Sequence, residues 1–341
     1  MTRSRSLHLD VVRAAGAAAL LAACLGCAGL RLTLYNASVE KPSNVALYFS
    51  VTDRAGNPVP NLQADSFRIY EDGQLISVFE SRQTILNPEV AAVHYTLLLL
   101  DLSGSVTQSG ALAQLQPAVQ SFADRVSRVQ QVAIYGFDGS PKIFPLMPFT
   151  SGPGGVRGVA ERLLSVRPRD PSTNLNGAVL EGLALLDRTL QHSSAPLKFG
   201  TLVVFTDGTD RAHRVDRRQL NEALNNTQHN VFVIGVGSEI NEHELRSIGR
   251  TGVFLGREPT LLQQAFDQIA LKVEGYTKSF YLLSYCSPAR AQEHELRVEA
   301  ISDKRRGSLT YRFNAQGFGP NCDPNRLPRF DIHHPVAPKG R

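Results

Sequence analysis

Asp101, Ser103 and Ser105 place three oxygen-bearing side chains at alternate positions, directly after an apolar run at residues 96–100. Carboxylate and hydroxyl oxygens are hard ligands that suit Mg²⁺ or Mn²⁺ and suit zinc or copper poorly. The alternate spacing turns both serines the same way, and Gly104 lets the backbone turn closely around an ion. The pattern predicts a divalent-cation site, with a polar helix cap as the alternative interpretation.

Two later segments carry further oxygen donors. Thr173 lies in the sequence Pro-Ser-Thr-Asn-Leu-Asn-Gly-Ala at residues 171–178, which opens a predicted helix. Asp207 follows a second buried strand at residues 201–205, within Thr-Asp-Gly. Taken singly, Thr173 is typical of a helix N-cap and Asp207 of a turn. Taken together with the first motif, they make five oxygen donors on three loops.

The order and separation of these donors resemble those of the metal-ion-dependent adhesion site in von Willebrand factor type A domains, over about residues 93–275. The resemblance implies that Ser103 and Ser105 bind the metal directly and Thr173 directly or through water. It implies that Asp101 and Asp207 hold the metal directly or through water. The expected ion is Mg²⁺, with Mn²⁺ or Ca²⁺ as alternatives. Two carboxylates leave such an ion under-coordinated, so a protein partner could supply an acidic group.

The elements around these loops alternate between strands and helices. Apolar runs predict strands at residues 97–100, 132–137, 143–149, 201–205, 231–236 and 253–255. Helices are predicted at residues 155–166, from about 175, at 242–248, and over a closing segment with Leu262, Phe266, Ile269 and Val273 on one face. This alternation predicts an α/β, doubly wound, mostly parallel Rossmann-like sheet. Asp101 would then stand at the carboxyl end of a strand, where ligands bind in such sheets.

Both flanks of this predicted domain are rich in strand patterns. Residues 45–51 alternate apolar and polar, and residues 67–70 and 75–79 read as a hairpin around Asp72-Gly73. Strands are also predicted at 32–35, 279–285, 294–301 and 308–313. Neither flank can bury a core alone, and together they reach about seven strands, the count of an immunoglobulin-like sandwich. One sandwich with the α/β domain inserted is the prediction, and two small β units are the alternative.

The predicted boundaries follow from this organisation: a signal segment at 1–30, β segments at 31–90 and 276–322, the α/β domain at 91–275, and a proline-rich tail at 323–341. The tail carries four prolines and is expected to be disordered or loosely wrapped.

The first 30 residues have the pattern of a bacterial export signal, with three arginines before an alanine- and leucine-rich stretch. Leu-Ala-Ala-Cys at residues 21–24 resembles a lipobox, which would make Cys24 the lipidated N-terminus. Cys27 is the alternative acceptor, because it would leave an even number of cysteines. An uncleaved anchor helix is a third possibility. Each predicts a protein held in the cell envelope, at the periplasmic face or the cell surface.

An oxidising compartment favours a disulfide between Cys286 and Cys322. On the chain-entropy model it would stabilise the fold by roughly 4 kcal/mol. Two separately buried thiols are the alternative.

Charge and motifs argue against nucleic-acid binding and catalysis. The formal net charge is +5, and removal of residues 1–23, with three arginines and one aspartate, leaves about +3. The Lys304-Arg305-Arg306 cluster is interpreted as a solvated hairpin tip. His243-Glu244 and His294-Glu295 begin like a zinc-protease helix but lack the second histidine. No catalytic residue is assigned, and the prediction is a protein that is not an enzyme.

Two functions remain. The first is a metal-dependent protein-binding module on an exported, lipid-anchored protein. The second is a regulatory or assembly subunit of an envelope enzyme or secretion complex, which would signal through the closing helix of the α/β domain.

Overall fold

The computed structural model describes residues 29–108, 111–152, 154–156 and 158–330. Its strands are β1 (Leu30–Glu40), β2 (Asn44–Asp53), β3 (Phe67–Glu71), β4 (Gln74–Leu75), β5 (Thr84–Leu86), β6 (Ala92–Asp101), β7 (Gln131–Phe137), β8 (Phe144–Thr150), β9 (Leu197–Thr206), β10 (Asn230–Val236), β11 (Gly252–Gly256), β12 (Phe280–Cys286), β13 (Glu293–Ser302) and β14 (Arg305–Asn314). Its helices are α1 (Val78–Ser81), α2 (Gly104–Gln108), α3 (Leu112–Val126), α4 (Val159–Ser165), α5 (Leu175–His192), α6 (Arg217–Asn226), α7 (Glu242–Ile248) and α8 (Leu262–Lys278).

The central sheet has the strand order β11-β10-β9-β6-β7-β8. All neighbours pair in parallel except β8, which runs antiparallel to β7 at one edge. The four leucines of β6 are fully buried because helices cover both faces of the sheet. The predicted doubly wound, mostly parallel α/β sheet is therefore confirmed.

The two helical layers differ in how closely they approach the sheet. On one face, Phe122 of α3 and Phe205 of β9 both pack against Phe266 of α8. On the other face α5 lies very close to the strands, since a Cβ on Gly182 would stand 2.9 Å from Leu99 Cδ1. A glycine at this position is what allows the close approach. Helices thus pack against the sheet on both sides, and the carboxyl end of β6 leads into the loops between them.

The flanks form two four-stranded sheets, with the orders β1-β2-β12-β5 and β14-β13-β3-β4. Each contains strands from before and after the central domain: β12 pairs with β2, and β13 pairs with β3. Their facing sides enclose one apolar core, in which Phe49, Phe67 and Tyr281 pack together. The flanking β-sandwich built from N- and C-terminal strands is confirmed. The numerical domain boundaries stay a prediction.

Local differences from the predicted elements have identifiable causes. The hairpin predicted to continue through residue 79 stops at Leu75, and α1 follows because Ser77 caps it and accepts a hydrogen bond from the Glu80 amide. β5, a three-residue strand, was not predicted. The helix predicted from residue 155 begins at Val159.

The end of the described chain packs against the sandwich. Cys286 and Cys322 form the predicted disulfide. Beyond it, the Arg329 amide donates a 2.7 Å hydrogen bond to Glu40 Oε1, and the Phe330 ring packs edge-on against Tyr48. Residues 323–330 are therefore irregular chain held against the sandwich by these contacts, and residues 331–341 lie outside the described part, so the expectation of a disordered or loosely wrapped tail stays a prediction.

Residues 1–28, which hold most of the predicted signal segment, the lipobox, Cys24 and Cys27, also lie outside the described part. In the portion of the chain that is described, no helix has both the length and the apolar character needed to span a bilayer.

An aromatic joint connects the central domain to the sandwich. We define it as Tyr35, Tyr48, His94, Phe199 and Phe280. The His94 ring stacks on Phe199 with centroids 5.0 Å apart, and Phe280 lies 5.0 Å away, edge-on. Burial here lowers the pKa of His94 to about 4. The amino-end side of the central sheet is therefore anchored on the sandwich, opposite the end that carries Asp101.

Candidate metal site

Asp101 is the buried centre of the candidate site. It ends β6 and is fully buried. Its Oδ1 accepts a 3.0 Å hydrogen bond from the Ser103 amide, and its Oδ2 accepts a 2.7 Å hydrogen bond from the Thr206 hydroxyl. The carboxylate is thus fixed between its own loop and the end of β9.

A chain of side-chain contacts continues from this loop to the next strand. Ser103 Oγ lies 3.2 Å from Ser105 Oγ, and Ser105 Oγ donates a 2.9 Å hydrogen bond to Asp207 Oδ1. Ser103 is buried, whereas Ser105 is exposed and Asp207 is partly exposed. The cluster therefore opens to solvent on the side of Ser105 and Asp207.

Thr173 lies on a third loop, which is bonded through backbone atoms to both of the others. The Gly104 amide donates to Pro171 O at 2.9 Å, and the amides of Arg211 and Ala212 both donate to Thr173 O at 2.9 Å. Thr173 is 4% exposed. The helix cap is supplied instead by Asn174, whose side chain accepts from the Gly177 amide. The N-cap interpretation of Thr173 is therefore wrong, and its hydroxyl is not used for capping α5.

The two carboxyl groups lie in an unfavourable electrostatic environment. Burial, with a smaller contribution from the nearby Asp207 charge, raises the pKa of Asp101 to about 7. Burial also raises the pKa of Asp207, against the opposing effect of its hydrogen bond from Ser105. The cluster itself contains no cationic side chain, so a positive ion would offset the cost of burying these two carboxylates.

The donor chemistry is that of a hard cation. The five predicted residues offer only carboxylate and hydroxyl oxygens, which fit Mg²⁺, Mn²⁺ or Ca²⁺. Across the described ranges, no group of three or more His, Cys, Asp or Glu side chains is arranged to hold a metal. A metal here would therefore depend on the hydroxyl groups as much as on the carboxylates.

Asp138 is a positioning residue that the sequence interpretation missed. It directly follows β7 and is 1% exposed. Its carboxylate accepts hydrogen bonds from the amides of Ser140, Arg169 and Asp170 at 2.7, 2.8 and 3.4 Å. Its backbone oxygen accepts from the Asn174 amide at 3.0 Å. It thereby fixes the loop that carries Thr173. The available signal was an aspartate directly after a buried strand, as at Asp101.

Asp210 fixes the same loop from the other side. Its Oδ1 accepts a 3.1 Å hydrogen bond from the Asn176 amide in the first turn of α5. It is 7% exposed and stands three residues after Asp207. Thr206, Asp138 and Asp210 together hold the three loops at fixed separations.

The family model described as von Willebrand factor type A domain matches residues 97–268. No curated protein matches the chain.

Among solved structures, a von Willebrand factor type A protein from Catenulispora acidiphila is similar at 12% identity and a TM-score of 0.49, covering 84% of this chain and 73% of that one. The manganese-loaded TRAP protein of Plasmodium vivax is similar at 13% identity and a TM-score of 0.44, covering 74% and 99%. Proximal thread matrix protein 1 from the mussel byssus, with a zinc-occupied MIDAS motif, gives 14% and 0.44, covering 54% and 48%. The chain thus spans about half of the mussel protein's length.

Proposed function

This chain belongs to the von Willebrand factor type A domain family, and we propose that it is a metal-dependent protein-binding module of the cell envelope. Domains of this family are typically interaction modules rather than enzymes. The proposed metal ligands are the five predicted oxygen donors, Asp101, Ser103, Ser105, Thr173 and Asp207.

One observation carries the proposal. Side-chain contacts link Ser103 to Ser105 and Ser105 to Asp207, and the Ser103 amide donates a hydrogen bond to Asp101. Four residues with hard oxygens thus lie together at the carboxyl ends of parallel strands, the usual position of a ligand site in such sheets, and the loop of the fifth, Thr173, is bonded to both of their loops. A turn and a helix cap would explain each residue singly but not their convergence.

The residues have distinct roles in this proposal. Asp101 is buried and oriented by Thr206, so it would hold the ion from the buried side of the cluster. Ser105 and Asp207 face the open side, where a partner would approach. A bound divalent cation would supply positive charge and an open coordination position for a partner's carboxylate.

We further propose that the chain is exported and lipid-anchored, through Cys24 or alternatively Cys27. The anchor would lie before β1, whose first residue, Leu30, pairs with Asp53, close to the turn at Gly56 that accepts a hydrogen bond from Tyr276 at the end of α8. The metal site lies at the opposite end of β6, about 30 Å along the strand from Ala92 to Asp101 at about 3.3 Å per residue. The binding end would therefore point away from the anchor.

Affinity capture from a solubilised envelope fraction tests the proposal. The wild-type chain should retain a partner in Mg²⁺ and lose it in EDTA. Asp207→Asn removes a proposed ligand charge and should lose the partner in both. Glu239→Gln is the matched control, because Glu239 is an acid at the same end that pairs with Arg211 instead. Retention of the same partner in EDTA would contradict the metal bridge.

A second candidate function is a regulatory or assembly subunit that signals through α8. The observation in its favour is that the last turn of α8 contacts both parts of the molecule. Gln130 Nε2 donates a 2.6 Å hydrogen bond to Thr277 Oγ1, and the Tyr276 hydroxyl donates a 2.9 Å hydrogen bond to Gly56 O in the sandwich. A displacement of α8 would therefore be transmitted to the flanking sheets.

A further inference from the structure

Five basic side chains surround the point at which the described chain begins. We call them the basic surface: Arg31, Arg54, Lys304, Arg305 and Arg306. They come from three separate segments, the start of β1, the turn after β2 and the hairpin between β13 and β14. Only the folded structure brings these segments together.

The strand pairing fixes this juxtaposition. Leu30 pairs with Asp53, which places Gly29 beside Arg54, whose Nε lies 3.0 Å from where a Cβ on Gly29 would stand. From the other side, the backbone oxygen of Leu30 lies so close to Gly307 that a Cβ there would stand 2.2 Å from it. Residues 304–306 directly precede that glycine. The hairpin tip and the first residues of β1 are therefore immediate neighbours.

The surface keeps a net positive charge after its internal ion pairs are counted. Arg305 pairs with Asp303 at 3.4 Å, and Arg306 pairs with Glu299 at 3.7 Å. Arg31, Arg54 and Lys304 are exposed, and none of the three has an ion pair with another described residue. Asp53 is the other nearby acid, and it is engaged by Asn57 through two hydrogen bonds. Asp53 keeps its negative charge, so five cations face three acids and the surface carries a net charge of +2, with Arg31, Arg54 and Lys304 outside the ion pairs.

We propose that the basic surface binds anionic lipid headgroups and holds the protein against a membrane. The inference uses the proposed lipid anchor but not the proposed metal site. Cys24 lies five residues before Gly29, a distance of at most about 18 Å when extended, and Cys27 lies closer still. An anchor at either cysteine therefore brings the basic surface within reach of the headgroups. Each basic residue near an anionic leaflet strengthens association by on the order of fivefold.

This contact would set the orientation of the molecule. A single lipidated residue leaves a tethered protein free to tilt, whereas a second, charged contact restricts it. Because the basic surface lies at the joint end and Asp101 at the far end of β6, the contact would keep the metal end facing away from the bilayer. A partner on another surface could then reach it.

Lysine labelling tests the proposal with the processed full chain. The protein, purified from membranes, is mixed with phosphatidylcholine vesicles with or without phosphatidylglycerol and treated with a water-soluble acylating reagent. Lys304 should be labelled severalfold more slowly on the anionic vesicles, and high salt should restore its labelling. Lys142, whose side chain is 76% exposed on the central domain, is the internal control and should be labelled equally on both.

Charge variants identify the surface responsible. Arg31→Gln combined with Arg54→Gln should restore labelling of Lys304 on anionic vesicles. Arg218→Gln combined with Arg246→Gln removes two exposed arginines of α6 and α7 and should leave the protection unchanged. Equal labelling of Lys304 on both vesicle types would overturn the proposal. Protection by soluble polyphosphate but not by vesicles would also overturn it and assign the surface to another polyanion. Mg²⁺ binding, measured on the same variants, reports separately on the proposed metal site.

Discussion

Ser105 Oγ donates a 2.9 Å hydrogen bond to Asp207 Oδ1, although the two residues lie 102 positions apart in the chain. The bond joins the loop after β6 to the loop after β9, at the solvent-facing side of the candidate metal site. Ser105 is exposed there, so both partners of the bond are accessible to an incoming ion or ligand. Metal binding to this side of the cluster can therefore be tested directly.

Mg²⁺ or Mn²⁺ should raise the melting temperature of the wild-type chain, because a ligand that binds only the folded state stabilises it by mass action. At a free ion concentration 100 times Kd, the gain is about 2.7 kcal/mol. Asp101→Asn should abolish the shift, and Glu239→Gln should preserve it. Thermal unfolding in EDTA and in excess metal measures the effect. Equal shifts in the wild type and Asp101→Asn would contradict the ligand assignment.

Without metal, Asp101 should make the protein less stable as pH rises. The pKa of Asp101 is about 7 in the folded chain, against an ordinary value of 3.8, so the folded state holds the proton more tightly. The contribution is fully present below pH 3.8 and is lost as pH rises through about 7. Its full size is on the order of 4 kcal/mol. Urea unfolding in EDTA over this range should show the wild type losing stability relative to Asp101→Asn as pH rises, because the comparison removes the slopes that other groups contribute.

His94 should produce a slope of the opposite sign. Burial lowers its pKa from 6.5 unfolded to about 4 in the aromatic joint, so the unfolded state binds the proton more readily. Its contribution to stability is full above pH 6.5 and is lost as pH falls toward 4. His94→Phe keeps a ring against Phe199 and removes this contribution, so the wild type should gain stability relative to the variant as pH rises from 4 to 6.5. His243→Phe, at an exposed histidine, is the control and should leave the slope intact. The same pH dependence in the wild type and His94→Phe would contradict the role given to His94.

Metabolic labelling with a palmitate analogue tests the proposed anchor. The wild-type chain should be labelled, and Cys24→Ala should remove the label if Cys24 is the acceptor. Label that survives Cys24→Ala and disappears in Cys27→Ala would assign lipidation to Cys27. An unlabelled wild-type chain would contradict lipid anchoring altogether.

A disulfide that pins α8 separates the two candidate functions. Ser121 Oγ of α3 donates a 3.0 Å hydrogen bond to Asp267 Oδ1 of α8, so Ser121→Cys with Asp267→Cys would cross-link these helices. If α8 must move on binding, the oxidised form should differ from its own reduced form in affinity for the captured partner by about fivefold or more. Unchanged affinity with the cross-link verified by mass spectrometry would leave a rigid binding module and exclude signalling through α8.

The sequence by itself determined the central sheet and indicated that the candidate metal site lies at the carboxyl ends of its strands. Residues 97–100 and 201–205 are continuous apolar runs, and each is followed at once by a polar loop with an aspartate. These signals are local: hydrophobic periodicity reports burial of each element, and ligand sites in parallel sheets follow strand ends. The pairing of Cys286 with Cys322 followed from cysteine count and compartment.

The tertiary structure alone decided which groups hold the site in place. Asn174, not Thr173, caps α5, because Asn174 also bonds to Ser140 O on the loop after β7. The role of Asp138 depends on three amides, two of which lie 31 and 32 residues further along the chain. No local pattern encodes such bonds, since they depend on how two loops meet at the edge of a finished sheet.

The flanking strands also differ from the predicted elements because contacts between distant segments decide the structure there. Residues 75–79 had a strand pattern, but Ser77 caps a helical turn at α1 and ends the hairpin at Leu75. The Lys304-Arg305-Arg306 cluster was predicted to be a solvated hairpin tip, and only the close approach of Leu30 in β1 to Gly307 in β14 brings the start of the described chain beside it. Strand order depends on which surfaces bury one another across hundreds of residues. A local sequence pattern indicates which residues will be buried. The assembled sheets determine which other residues those side chains pack against.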